Sequence, residues 1–250
     1  MKGPVNFPII DSAVRFRSGG GAFKVMEWLK EAKTWGIVHS VAAPPDEFVA
    51  VYNERGNELM AGVVKRYPRR FSGLAVANPW YGKKAVTLLR KAFDAGLSGL
   101  YLHPGRQGFH LTESIVNPLI QVCRDYAKPV YSYTGTPVCC MPFQLAELAR
   151  RFPQVSFVLG HFAWSDFCGY DVIPACKQAP NIYIETSCAT GGMVRAALDA
   201  LGPERILFGS GYPRSLPEHE FEKIRPLKLP DDVLRRYFTE NAKRLWQVPL

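Results

Sequence analysis

The chain has 250 residues, with 31 Lys+Arg against 22 Asp+Glu, a formal charge of +9, and 47% hydrophobic residues. That balance excludes intrinsic disorder, and 21 Gly and 20 Pro scattered without period exclude a collagen-like repeat. No run of 18 apolar residues occurs, so no membrane span is expected, and Met1–Pro8 lacks the apolar stretch of a secretory signal; a cytoplasmic protein is expected.

The positive charge points to a small anionic partner rather than nucleic acid. Basic pairs such as Arg150-Arg151 and Arg235-Arg236 fall singly at expected helix ends, where cations complement the helix dipole. Six cysteines all lie between Cys123 and Cys188 without a C-x-x-C pair, so they read as free thiols rather than a disulfide scaffold or a structural zinc site.

Short β-branched or aromatic runs predict strands at Phe7–Asp11, Ile37–Val41, Phe71–Val76, Gly99–Leu102, Pro129–Tyr133, Val155–Leu159, Ile182–Thr186 and Ile206–Gly209. Helical periodicity fills the gaps. Phe23, Met26, Leu29 and Ala32 are expected to line the first helix, and Ala85, Leu88, Leu89 and Ala92 a later one. Leu145, Leu148 and Ala149 form another stripe, and Val194, Ala197, Leu198 and Leu201 a fourth. The tail from Asp231 to Trp246 predicts two short helices, with Thr239 capping the second. Eight alternations of strand and helix predict a (β/α)8 TIM barrel as a single domain over 1–250. A doubly wound sheet lacks support, because Gly19-Gly20-Gly21 has no G-x-G-x-x-G spacing and reads as a loop.

In such a barrel, function gathers at the C-terminal strand ends. Arg15 follows the first strand, His103 and Gln107 the fourth, and Tyr133 ends the fifth. His161 and Trp164 follow the sixth, Ser187 and Cys188 the seventh, and Gly211 and Arg214 the eighth. His39, inside a strand, reads as a core histidine. Glu185 points either outward or into the barrel.

Several segments carry a resemblance, in chain order. They are Tyr67-Pro68-Arg69-Arg70-Phe71-Ser72-Gly73, Gly96-Leu97-Ser98-Gly99-Leu100-Tyr101-Leu102-His103-Pro104, Pro129-Val130-Tyr131-Ser132-Tyr133-Thr134-Gly135, Leu159-Gly160-His161, Arg205-Ile206-Leu207-Phe208-Gly209-Ser210-Gly211-Tyr212-Pro213, and Glu240-Asn241-Ala242-Lys243-Arg244-Leu245-Trp246. Together they resemble the amidohydrolase-related family, in the branch that includes aminocarboxymuconate-semialdehyde decarboxylase. The resemblance implies a TIM barrel, a homodimer, and hydrolysis or decarboxylation as the reaction. It also implies a metal held by an H-x-H pair on the first strand, histidines on the fifth and sixth, and an Asp on the eighth. Here those positions read Ala13, Arg15, Tyr133, His161 and Gly211, so only His161 is a ligand type. No metal and no cofactor are therefore expected.

What remains implies His161 and His103 as acid/base groups, with Tyr133 donating beside them. Arg15, Gln107 and Trp164 are expected to bind the substrate, and Asp11 is the nearby internal partner for Arg15. The expected function is a metal-independent hydrolase or decarboxylase acting on a small anionic substrate. The alternative is an inactive homologue that binds a ligand or serves as a partner subunit.

Overall fold

The eight expected strands all form, and they lie in one parallel sheet whose spatial order is their chain order. They are β1 (Ile9–Arg15), β2 (Ile37–Ala43), β3 (Phe71–Val76), β4 (Gly99–Leu102), β5 (Val130–Tyr133), β6 (Phe157–Gly160), β7 (Ile182–Glu185) and β8 (Ile206–Leu207). This computed structural model describes residues 5–16, 18–19 and 22–249; Gly20 and Gly21 of the expected loop lie outside them. The strands are mostly apolar and almost wholly buried, as a parallel sheet covered by helices requires, with Asp11, Ser12 and Arg15 in β1 and Glu185 at the end of β7 among the polar exceptions.

The sheet closes on itself. Ser12 donates its N–H to the Phe208 carbonyl at 2.9 Å, and Arg15 donates to that of Tyr212 at 2.9 Å. Between these bonds the register of β1 against β2 shifts at Asp11/Val14. Asp11 fills the irregularity: its Oδ1 accepts from the N–H of Ala13 and of Ser210, each at 2.9 Å. One carboxyl thus ties the kink in β1 to the loop after β8. The result is a (β/α)8 TIM barrel. Among the described residues no helix is long and apolar enough to cross a membrane.

Two local expectations need correction. The first helix is Val25–Thr34, and it buries Val25, Trp28 and Ala32, while Met26 is exposed. Trp28 sets the phase: its indole donates to Ser40 Oγ at 2.9 Å and lies 4.7 Å from the Tyr212 ring. In the tail, Thr239 is not an N-cap. Helix Asp231–Arg235 runs through a π-helical turn, Arg236–Glu240, into helix Asn241–Trp246, and the Thr239 hydroxyl donates to the Pro8 carbonyl instead.

Burial pushes the Asp11 carboxyl from 3.8 up to about 7, against the lowering effect of its hydrogen bonds. The folded protein therefore holds a proton here, between those two values, that the unfolded chain has already lost. The stability this group contributes is present below its unfolded value and fades as pH rises through about 7. Asp11→Asn keeps the Oδ1 acceptor and removes the titration. The melting temperature of the variant relative to wild type should climb from pH 4 to about pH 7 and level off above it; a difference independent of pH would contradict the assignment.

Candidate active site

The C-terminal mouth of the barrel is built around Glu185, the last residue of β7, which points inward and is fully buried. Its Oε2 accepts from the Tyr131 hydroxyl at 2.7 Å, the His161 N–H at 2.9 Å and the Ser187 hydroxyl at 3.0 Å; its Oε1 accepts from the Ser187 N–H. Two glycines make room. A Cβ at Gly209 would stand 2.1 Å from Glu185 Oε1, and one at Gly160 would stand 2.6 Å from the Tyr131 ring.

This carboxylate decides how His161 works. His161 Nδ1 lies 2.7 Å from Ser187 Oγ. A carboxylate only accepts, so the Ser187 proton goes to Glu185 and Ser187 must accept from His161. Nδ1 therefore carries the hydrogen, and Nε2 presents a lone pair. That Nε2 is buried and has no hydrogen-bond partner among the described residues. Burial, then Arg15, Arg214 and His103, hold the imidazole well below its ordinary value, so it is neutral at physiological pH.

The chain reaches this arrangement through a strained turn. His161, Phe162, Ala163 and Trp164 have φ of 60, 46, 51 and 48°, a left-handed turn without glycine. Each such residue costs about 1–2 kcal/mol, and strain of this kind gathers at functional sites. The turn is closed by the Trp164 N–H on the His161 carbonyl at 2.9 Å. It also rests on Gly135, where a Cβ would meet the Ala163 backbone at 2.4 Å.

His103 is set up the opposite way. It caps the short helix Pro104–Gln107, and its Nδ1 accepts from the Arg106 N–H at 3.3 Å, so Nε2 carries the hydrogen. Its ring stacks on Tyr133 at 4.0 Å and 7°. Burial, then Arg15 and Arg106, push it down to about 3. Tyr133 also meets His161 edge-on at 5.1 Å, and its hydroxyl accepts from Arg214 at 3.3 Å.

Arg15 lies below this pair, its guanidinium 5.9 Å from the Tyr133 ring centre. Its partner is not Asp11, which is committed to backbone N–H groups, but Asp46 in the loop after β2. Nη1 reaches Asp46 Oδ1 at 3.1 Å and the Tyr101 hydroxyl at 3.4 Å. Burial opposes the charge of Arg15, but Tyr101 and Asp46 outweigh it and hold the guanidinium above its already high ordinary value. Asp46 Oδ2 is held in turn by Arg106 at 2.7 Å.

The other expected site residues fall further out. Gln107 is buried, with Oε1 on the His103 N–H at 2.8 Å and Nε2 on the Ala77 carbonyl at 3.0 Å; its amide holds β3 and β4 loops together. Trp164 stands at the rim beneath Arg214, 4.3 Å from its ring centre. His39 is a core histidine between Ser72 and the Arg69 carbonyl. Arg15, Tyr101, Tyr131 and His161, with Ala13 and Gly211, line a partly open pocket of about 10 Å³, about the space one water needs. Sequence reading did not single out Asp46, Tyr101 or Tyr131. The tyrosines follow inward strand positions and were legible in principle; Asp46, in a loop, gives no periodic signal.

A model of the amidohydrolase family matches residues 31–248. The chain belongs to the amidohydrolase family. Solved structures share its fold. A protein from Staphylococcus aureus assigned as an amidohydrolase is 16% identical with a TM-score of 0.79, over 96% of this chain and 100% of that one. The 5-carboxyvanillate decarboxylase of Novosphingobium aromaticivorans, solved with manganese and 4-hydroxy-3-methoxy-5-nitrobenzoic acid, is 14% identical with a TM-score of 0.80, over 97% and 96%. A Pseudomonas putida protein assigned as a 2-pyrone-4,6-dicarboxylic acid hydrolase is 16% identical with a TM-score of 0.74, over 97% and 98%. No curated protein sequence matches the chain.

The residues present do not fit the metal that the family resemblance implies. Among the described residues, no group of three or more His, Cys, Asp or Glu side chains is arranged to hold one. The position of the eighth-strand carboxylate is closed as well. Gly211 has φ +66°, and a Cβ there would lie 3.0 Å from Ser187 Cβ and 3.2 Å from its Oγ. An aspartate there would be held in a strained left-handed backbone and would crowd the hydroxyl that orients His161.

The two histidines should therefore be neutral and opposite in tautomer at pH 6. Nitrogen-15 NMR of labelled protein should show His161 protonated on Nδ1 and His103 on Nε2, and Ser187→Ala should disturb the first alone. Either ring charged at pH 6, or both in one tautomer, would contradict the hydrogen-bond assignment.

Proposed function

We propose that this amidohydrolase is a metal-independent hydrolase or decarboxylase acting on a small carboxylate-bearing ring compound, with His161 as its base. One observation carries the reading: a neutral imidazole whose buried, unpartnered Nε2 is aimed by Ser187 and Glu185 among Arg15, Tyr101 and Tyr131. In hydrolysis, Nε2 takes a proton from the attacking water, and the Nδ1–H, Ser187 and Glu185 series stabilises the imidazolium that forms. Arg15 and the Tyr101 hydroxyl are the groups suited to a developing oxyanion. His103, holding its hydrogen on Nε2, is suited to donate. The decarboxylase and hydrolase names of the structural neighbours prompt the two reaction classes and the acidic ring compound.

An anionic substrate also repairs the weakness of the base. Arg15 and Arg214 depress His161, so a carboxylate placed against them removes part of that effect and strengthens the base in the complex.

A second reading, binding without turnover, is favoured by the absence among the described residues of a side-chain group able to hold a metal. One experiment separates the two. The protein, stripped with EDTA, is incubated with a panel of aromatic carboxylates and cyclic dicarboxylate lactones, and the products are followed by chromatography. Turnover should survive the chelator and vary little between pH 6 and 8, since His161 titrates well below that range. It should fall by about 10²–10⁴-fold in His161→Gln. Turnover that vanishes with EDTA and returns with manganese defeats metal independence, and binding with no product selects the second reading.

A further inference from the structure

Asp46 occupies an unusual position. It is the only carboxylate that the described salt bridges place on Arg15, and it bridges that buried guanidinium to Arg106 at the rim. The Arg15 side chain is 11% exposed, whereas those of Asp46 and Arg106 are 38% and 43% exposed. The inner half of the bridge is therefore buried and the outer half is wet.

We propose that Asp46 is a specificity-determining residue: an internal carboxylate that fills the anion position on Arg15 and yields it only to a ligand carboxylate. The inference rests on the anionic substrate proposed above and adds what selects it. Arg15 cannot lose its proton, and an unpaired buried guanidinium is strongly disfavoured. Withdrawal of Asp46 is thus coupled to arrival of another anion. A neutral ligand of the same shape leaves Arg15 without a counter-charge and is rejected, which makes the bridge a device against the wrong ligand as well as for the right one.

The surroundings permit the exchange. Asp46 follows Pro44 and Pro45 and precedes the short helix Glu47–Ala50, beyond the end of β2. On leaving Arg15 its carboxylate keeps Arg106 and water, so no charge is stranded. The mouth also tolerates the added negative charge: Arg15, Arg106 and Arg214 supply three positive charges against Asp46 and Glu185. Arg15 also lines the pocket beside Tyr101, Tyr131 and His161, so an anion that takes the place of Asp46 on the guanidinium sits next to His161.

Isothermal titration with benzoate, and with benzamide as its neutral counterpart, tests this on wild type, Asp46→Asn and Arg15→Gln. Asparagine keeps an oxygen for the Arg15 hydrogen bond while removing the competing charge. Asp46→Asn should bind benzoate at least ten-fold more tightly than wild type, with benzamide unchanged, and Arg15→Gln should bind neither. If wild type binds benzoate and Asp46→Asn binds it no better, the competitor role is wrong while the anionic-substrate reading stands. If no variant binds benzoate, the anionic reading itself falls. Should Asp46→Asn lose its cooperative unfolding transition, Arg106→Gln, which frees only the exposed end of Asp46, replaces it. Without Arg106 to keep its carboxylate, Asp46 holds Arg15 more firmly, so that variant should bind benzoate several-fold more weakly, and unchanged or tighter binding would overturn the proposal.

Discussion

The mouth of this barrel depends on the hydrogen bonds that converge on Glu185. A buried carboxylate without partners costs several kcal/mol, and here the donors come from three strands: Tyr131 on β5, the His161 backbone after β6, and Ser187 after β7. Each donor is fixed by giving its hydrogen to the same group. Tyr131 is held against Gly160, the left-handed turn at His161 is anchored at its first N–H, and the Ser187 hydroxyl is left with only its lone pairs for the imidazole. Geometry, tautomer and strain at the site all trace back to one acceptor.

A second constraint is the charge around the two histidines. Both are kept neutral by burial and by nearby guanidiniums, yet their backbone settings differ. His103 spends Nδ1 as a cap for the Arg106 N–H and keeps a donor on Nε2. His161 spends its Nδ1–H on Ser187 and keeps an acceptor on Nε2. Tyr133 packs between the two rings, face to one and edge to the other. A neutral donor and a neutral acceptor in one mouth suit proton transfer without a charged ground state. The same guanidiniums that enforce neutrality are those an anion would meet first, so binding and base strength are linked through one field.

Much of the fold was legible because the strands are short, β-branched and separated by regular helical stripes, and the family motifs follow them in order. The site positions were legible because a parallel barrel sends its strand ends to one face. What was not legible depends on contacts between distant segments. Glu185 lies at a strand end, where alternation alone does not choose a face; Gly209 and Tyr131, from other strands, choose it. The phase of the first helix was set by Trp28 reaching Ser40 and Tyr212, while counting from Phe23 rotated the stripe onto exposed Met26. Thr239 resembles a cap in sequence, but a π-helical turn carries the chain through it and gives its hydroxyl to Pro8. Asp46 was hidden for the plainest reason: a loop acid gives no periodic signal, and the nearer Asp11 in sequence is occupied with closing the barrel.

The positions where the family resemblance implies metal ligands are physically dependent on one another. Ala13 Cβ and Glu185 Oε1 crowd the same side of Gly209, at 2.8 and 2.1 Å from where its Cβ would stand, so a histidine at 13 would compete with the inward carboxylate for that space. Gly211 leaves room for Ser187, which Glu185 needs as a donor and His161 needs as an acceptor. Tyr133 stacks on His103 and takes Arg214, and its face lies toward Arg15, whose charge opposes any cation in the mouth. Arg15 in turn is tolerable only with Asp46 beside it. Placing a metal ligand at one of these positions would therefore break a contact that a neighbouring residue depends on. The mouth is a self-consistent polar and cationic site, in which His161, Ser187, Glu185 and Arg15 each depend on a contact made by another.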